Sequence, residues 1–102
     1  MSVRQGTTPT HRFEIPIEAD LIEKIRIIYA QDEKVILTKE TEECVIAGYI
    51  IETTLTQEDT LLFNEQCQIQ VQIHILTKRG EAFASDIKTI ACGLLLGKRV
   101  LE

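Results

Sequence analysis

The side chains that could do acid–base, nucleophilic or metal chemistry near neutral pH are His11, His74, Cys44, Cys67 and Cys92. A nucleophile needs a base within hydrogen-bond reach and a third group to orient that base. His11 lies in a polar N-terminal stretch, distant in sequence from every cysteine. Cys67 and His74 share one segment but are an odd number of residues apart. An extended strand places two such residues on opposite faces, so they do not pair. Cys44 and Cys92 stand among apolar neighbours and read as small core residues. Zinc asks for a CxxC motif or paired histidines, and neither occurs. Glu40, Glu42 and Glu43 cluster, but without the spaced oxygens and glycine bend of a calcium loop, and they read as a solvated turn. No glycine-rich phosphate loop is present. The chain is therefore expected to be a non-enzyme, with no catalytic residue, no cofactor and no metal.

Whatever those side chains do, a strand-rich scaffold must position them. Residues 67–76 alternate almost perfectly. Cys67, Ile69, Val71, Ile73 and Ile75 hold one parity, and Gln68, Gln70, Gln72 and His74 the other. A strand repeats every two residues, so this segment has one apolar face and one polar, uncharged face.

The composition agrees. The chain has 102 residues, the size of one domain, and 44% of them are apolar. It has no Trp, three Phe and two Tyr, so its core must be aliphatic. β-branched Ile and Val suit a pleated sheet. The net charge of −5, with no basic stripe, argues against nucleic acid and against anionic membrane surfaces. Three widely spaced cysteines do not make a disulfide framework and imply reduced thiols. The N-terminus is polar through His11 and Arg12, with no signal peptide, and no stretch reaches the ~18–20 apolar residues of a membrane span. Synthesis and folding in a cytoplasm are expected.

Along the chain, residues 1–8 lack apolar periodicity and read as a flexible lead-in. Phe13, Ile15 and Ile17 alternate with Arg12, Glu14 and Pro16; Pro16 has no N–H for a ladder, so this strand lies at an edge or ends there. Residues 18–31 carry both helical and alternating spacing. A turn at 18–22 and a strand at 23–31 fit best, with a helical turn left open. Lys34–Lys39 follows as a hairpin partner, with Val35 and Leu37 inward. Cys44–Ile46 and Tyr49–Leu55 form a second hairpin around Gly48. Thr56 can cap a short helix over residues 56–63, with Asp59 reaching back to the Thr56 amide. Gly80 turns the chain after the long strand. Residues 82–92 resume strand character, interrupted at Ser85-Asp86. The tail 94–102 is apolar and flanked by glycine.

About seven short strands and one helix, over a domain spanning residues 9–93, predict an all-β, immunoglobulin-like two-layer β-sandwich. Trimming Ile73 to Ala should cost about 2–5 kcal/mol if it is central. Neutral polar groups cost less to desolvate than charges, so the row Gln68, Gln70, Gln72 and His74 suits a subunit interface. The apolar tail residues Leu94, Leu95 and Leu96 are a second candidate contact.

Three runs carry a resemblance: Leu55-Thr56-Gln57-Glu58-Asp59-Thr60-Leu61, then Ile69-Gln70-Val71-Gln72-Ile73, then Gly80 through Ile87. Thr8 through Phe13 and Ile27 through Gln31 fit its opening. The pattern resembles small uncharacterised prophage proteins of Gram-positive bacteria. It is also similar to the N-terminal β-sandwich of phage baseplate upper proteins, over residues 8–97. The resemblance implies a tail- or baseplate-associated structural or assembly module that contacts other phage structural proteins, forms a homo-oligomer, and resides in the host cytoplasm during assembly or in the virion. A small ligand- or carbohydrate-binding module, using Tyr29 or Tyr49, and a host-directed regulator encoded by a mobile element are the alternatives.

Overall fold

Alternation of apolar and polar residues builds most of the strands. The computed structural model describes residues 1–102. It contains β1 (Ser2–Arg4), β2 (Thr10–Glu14), β3 (Ile22–Gln31), β4 (Lys34–Glu40), β5 (Cys44–Ala47), β6 (Ile50–Thr54), α1 (Gln57–Leu61), β7 (Ile69–Thr77), β8 (Ala82–Ala84) and β9 (Lys88–Gly93). Single 3₁₀ turns at Ala19–Leu21 and Thr41–Glu43 lead into β3 and β5. The protein thus has nine strands rather than seven, and the ambiguous stretch 18–31 resolves into one short turn and one long strand.

The strands form two sheets. The larger runs β1-β9-β7-β3-β4, with β8 also on β7, and the smaller runs β2-β6-β5. All pairings are antiparallel except β1 with β9. This is the immunoglobulin-like sandwich, with β2, β3, β5, β6, β7 and β9 as strands B, C, D, E, F and G, and β4 in the added C′ position of variable-type domains. The inward rows Ile25, Ile27 and Tyr29 of β3 and Ile69, Val71, Ile73 and Ile75 of β7 meet Phe13 and Ile51 of the smaller sheet in one core cluster. The disulfide and tryptophan of antibody domains are absent, and the buried Tyr29 ring packs beside His11 and edge-on to Phe63.

α1 bridges β6 and β7 as expected. The Thr56 hydroxyl accepts the Asp59 N–H at 3.0 Å, and the Asp59 carboxylate accepts the Thr56 N–H at 2.9 Å. This reciprocal cap satisfies two amides that the helix start leaves free.

The structure corrects several expectations. Residues 1–8 are not a loose lead-in. Val3 is buried, and Ser2, Val3 and Arg4 pair with Ala91, Cys92 and Gly93. The buried Gln5 side chain locks this strand down: its amide donates to the Phe63 carbonyl at 2.6 Å and its Oε1 accepts the Leu95 N–H at 3.1 Å. The long strand begins at Ile69, so Cys67 and Gln68 precede it and Cys67 is not an inward core residue. Val35 is 61% exposed, because β4 carries an extra residue, Ile36, opposite the Tyr29–Ala30 step. That bulge reverses parity, so Leu37 packs on the core while Val35 points out. The break expected at Ser85-Asp86 is real. It divides the last edge into β8 and β9, and Phe83 and Ile87 remain exposed.

Candidate interaction surfaces

The outer face of the larger sheet is built by the residues of opposite parity to the core. Register aligns Glu40–Arg26–His74–Ala84 in one row, Thr38–Ile28–Gln72 in the next, and Val35–Ala30–Gln70–Thr89 in a third. The face is therefore graded. Its first row is charged, with the Arg26 guanidinium 2.9 Å from the Glu40 carboxylate. The other two rows carry no charge and mix apolar with neutral polar residues. There Ile28, Ala30, Val35 and Ile87 line a shallow groove of about 350 Å³ with Gln70 and Gln72.

Gln70, Gln72 and His74 are thus on one face, as their spacing predicts. Gln68 is not with them. It lies before the strand, in a polar hollow at the β3–β4 turn with Cys67, Asp32 and Glu33. Nor are the strand glutamines free. The Gln70 Oε1 accepts the Glu33 N–H at 3.1 Å, bracing a two-residue turn in which Asp32 and Glu33 both have positive φ. The Gln72 amide donates to the Ser85 carbonyl at 2.8 Å. Ser85 in turn accepts the Ile73 N–H on its hydroxyl and donates its own N–H to the Ile73 carbonyl, both at 2.9 Å. Gln72 and Ser85 together bridge the gap between β8 and β9. The glutamine row therefore braces this face, and the exposed contact area belongs to Val35, Ile87 and their apolar neighbours.

The tail candidates lie elsewhere. The Leu94 carbonyl accepts from Arg4 at 2.8 Å, and the Leu95 amide is held by Gln5. Further on, Lys98 pairs with Glu65 at 3.2 Å, and the Gln57 side-chain amide makes two hydrogen bonds to the Leu101 backbone. The tail is thereby tied to β1 and to the β6–β7 crossover. Leu94 and Leu96 are exposed, Leu96 almost completely, while Leu95 packs over Gly6.

Two buried polar pairs escaped the sequence reading. His11 is not in a lead-in but buried on β2, where its Nδ1 lies 2.7 Å from the Tyr29 hydroxyl and its Nε2 lies 3.2 Å from the Ser2 carbonyl. Burial lowers the imidazole pKa below its ordinary 6.5, and the N-terminal ammonium adds to this, against the opposing pull of the Ser2 carbonyl. The neutral ring then accepts from Tyr29 and donates to Ser2. Lys39, near the end of β4, is only 5% exposed. Its ammonium lies 2.8 Å from Asp59 and 3.6 Å from Glu43. Burial alone would depress it, but these two carboxylates win and raise it.

Neither histidine is bonded to a thiol; the Cys67 thiol instead donates to the Asp32 carboxylate at 3.4 Å. Burial raises the pKa of Cys44 and of Cys92, and the contact with Asp32 raises that of Cys67, so all three are held as poor nucleophiles. No group of three or more His, Cys, Asp or Glu side chains is placed to hold a metal ion, and no helix is long and apolar enough to cross a membrane.

No protein-family model matches this chain. No curated protein matches it either. Among solved structures, the chain is similar to the V domain of amphioxus IgVJ-C2, with 13% identity and a TM-score of 0.36, over 91% of this chain and 99% of that one.

Proposed function

We propose that this protein is a phage or prophage structural module that acts by protein–protein contact, and that the neutral half of its outer sheet face is the contact surface. The observation that carries this reading is the apolar strip itself. Val35 at 61% and Ile87 at 59% exposure stand beside Ile28 and Ala30, in a region whose only charged lining residue is Glu33. Interface centres are depleted of charge, and exposed apolar clusters on small domains mark contact sites. The braced glutamines support the same role, since side chains already held in place lose little freedom on binding. The phage assignment rests on the sequence resemblance over residues 8–97.

The sugar-binding alternative is weakened. Tyr29, one of its two candidate platforms, is completely buried, which leaves Tyr49 exposed alone in the β5–β6 turn.

The test is composition of purified particles. The expected result is that virions contain the protein, and that Val35→Glu combined with Ile87→Glu removes it from them while circular dichroism and melting temperature stay unchanged. Virions lacking the unaltered protein would overturn the reading.

A further inference from the structure

In an immunoglobulin-like sandwich the smaller sheet ordinarily has a strand A beside strand B. Here the first strand lies on the other sheet, against β9, and β2 pairs with β6 alone. The outer edge of β2 is vacant. Two flanking bonds give its hydrogen-bond phase: the Leu55 N–H donates to the Pro9 carbonyl and the Ile15 N–H to the Tyr49 carbonyl. Antiparallel ladders alternate, so odd-numbered residues of β2 bond to β6 and the backbones of Thr10, Arg12 and Glu14 point to the open edge. Beside that edge runs a groove between the sheets, in two connected parts of about 480 and 400 Å³ that share Glu14, Ile73 and Ser85. Its apolar end is lined by Ile15, Ile17, Ile75 and the exposed Phe83.

We infer that this edge pairs with the same edge of a second copy, β2 against β2 about a two-fold axis at Phe13. Charge selects this register. Hydrogen-bond phase allows only steps of two residues. With the axis at Arg12, two arginines would face each other. With the axis at Phe13, Arg12 of each copy stands opposite Glu14 of the other, twice, and both pairs fall on the solvent face where their side chains are exposed. Arg12 and Glu14 then also exchange backbone N–H and C=O bonds across the axis. Pro16 ends the pairing, since it has no N–H to give. The two smaller sheets become one six-stranded sheet, and the two inter-sheet grooves, with Ile15, Ile17 and Phe83, are brought face to face. An edge guarded against pairing carries one sign of charge or an inward charge. This one carries alternating signs that complement themselves. The inference is independent of the outer-face reading, because β2 belongs to the other sheet.

Sedimentation velocity of the full chain over a concentration series tests it. The unaltered protein is expected to form a dimer. Arg12→Glu and Glu14→Arg are each expected to shift the dissociation constant upward at least tenfold, because each places like charges opposite. The double variant, Arg12→Glu with Glu14→Arg, is expected to recover the dimer. Both side chains are exposed, and unchanged circular dichroism reports that each variant is folded. A monomer up to millimolar concentration would overturn the proposal, as would a dimer indifferent to both single reversals or not recovered by the double one. Loss of virion incorporation without loss of the dimer bears only on the outer face.

Discussion

The Asp59 carboxylate does two jobs with one oxygen: its Oδ2 accepts the Thr56 N–H that starts α1 and lies 2.8 Å from the buried ammonium of Lys39 on β4. The crossover helix is thereby fastened to the larger sheet. Truncating Asp59 to Ala strips the cap and leaves Lys39 buried with only the more distant Glu43. Breaking a buried pair costs about 3–5 kcal/mol, and Asp59 retains some exposure, so about 3 kcal/mol is expected from urea denaturation. Lys39→Met with Asp59→Asn should cost less than Asp59→Ala alone, since the only charge it leaves unpaired is the half-exposed Glu43. The Asp59 pKa is lowered: burial would raise it, but Lys39 and the Thr56 amide outweigh that. Its native pKa being below the unfolded one, its contribution is present above the ordinary 3.8 and is lost as the pH falls through the native value.

A second pH window belongs to His11. Its native pKa is below 6.5, so the folded state holds fewer protons than the unfolded state beneath that value. Stability should be flat just above pH 6.5 and fall as the pH drops through the native pKa. In His11→Leu this segment of the stability–pH curve should be flat. Tyr29→Phe removes the hydroxyl at 2.7 Å and leaves a buried ring nitrogen unpaired, at a cost of about 1–3 kcal/mol measured by denaturation.

Core truncations can now be ranked. Ile27 is completely buried in the cluster, whereas Ile73 lines both parts of the inter-sheet groove. Ile27→Ala should fall near the upper end of the roughly 2–5 kcal/mol range and Ile73→Ala near the lower, because solvent and neighbours relax into a site that already opens to a groove. Equal melting-temperature losses for the two would contradict this ranking.

Gly6→Ala should destabilise by about 1 kcal/mol or more. Gly6 has φ of +75°, and a methyl group there collides with the end of the Leu95 side chain. The loss should appear in hydrogen exchange first at Val3 and Cys92, since that contact clamps the tail over the hinge after β1.

The legibility of the fold followed the range of the interactions that make it. The alternation of Ile69 to Ile75, the Thr56–Asp59 cap and the turns at Gly48 and Gly80 are local, and each is visible in a few consecutive residues. Val3 carries no periodic signal, because its burial depends on Cys92 at the other end of the chain. The burial of Lys39 has no local signal either, because its carboxylate partner stands twenty positions on, beyond two further strands. At the candidate surface, parity correctly put Gln70, Gln72 and His74 together. It missed that two of them were already spoken for, because Glu33 and Ser85 reach them only through tertiary folding. Val35 was misplaced by a single inserted residue, which no alternation rule detects.

The parallel ladder between Ser2–Arg4 and Ala91–Gly93 joins the beginning of the chain to nearly its end. Ser2–Arg4 therefore cannot pair before Ala91–Gly93 has been made. Until then Val3 has no partner strand, and pairing it with Cys92 closes a long loop whose entropy cost falls on that one step.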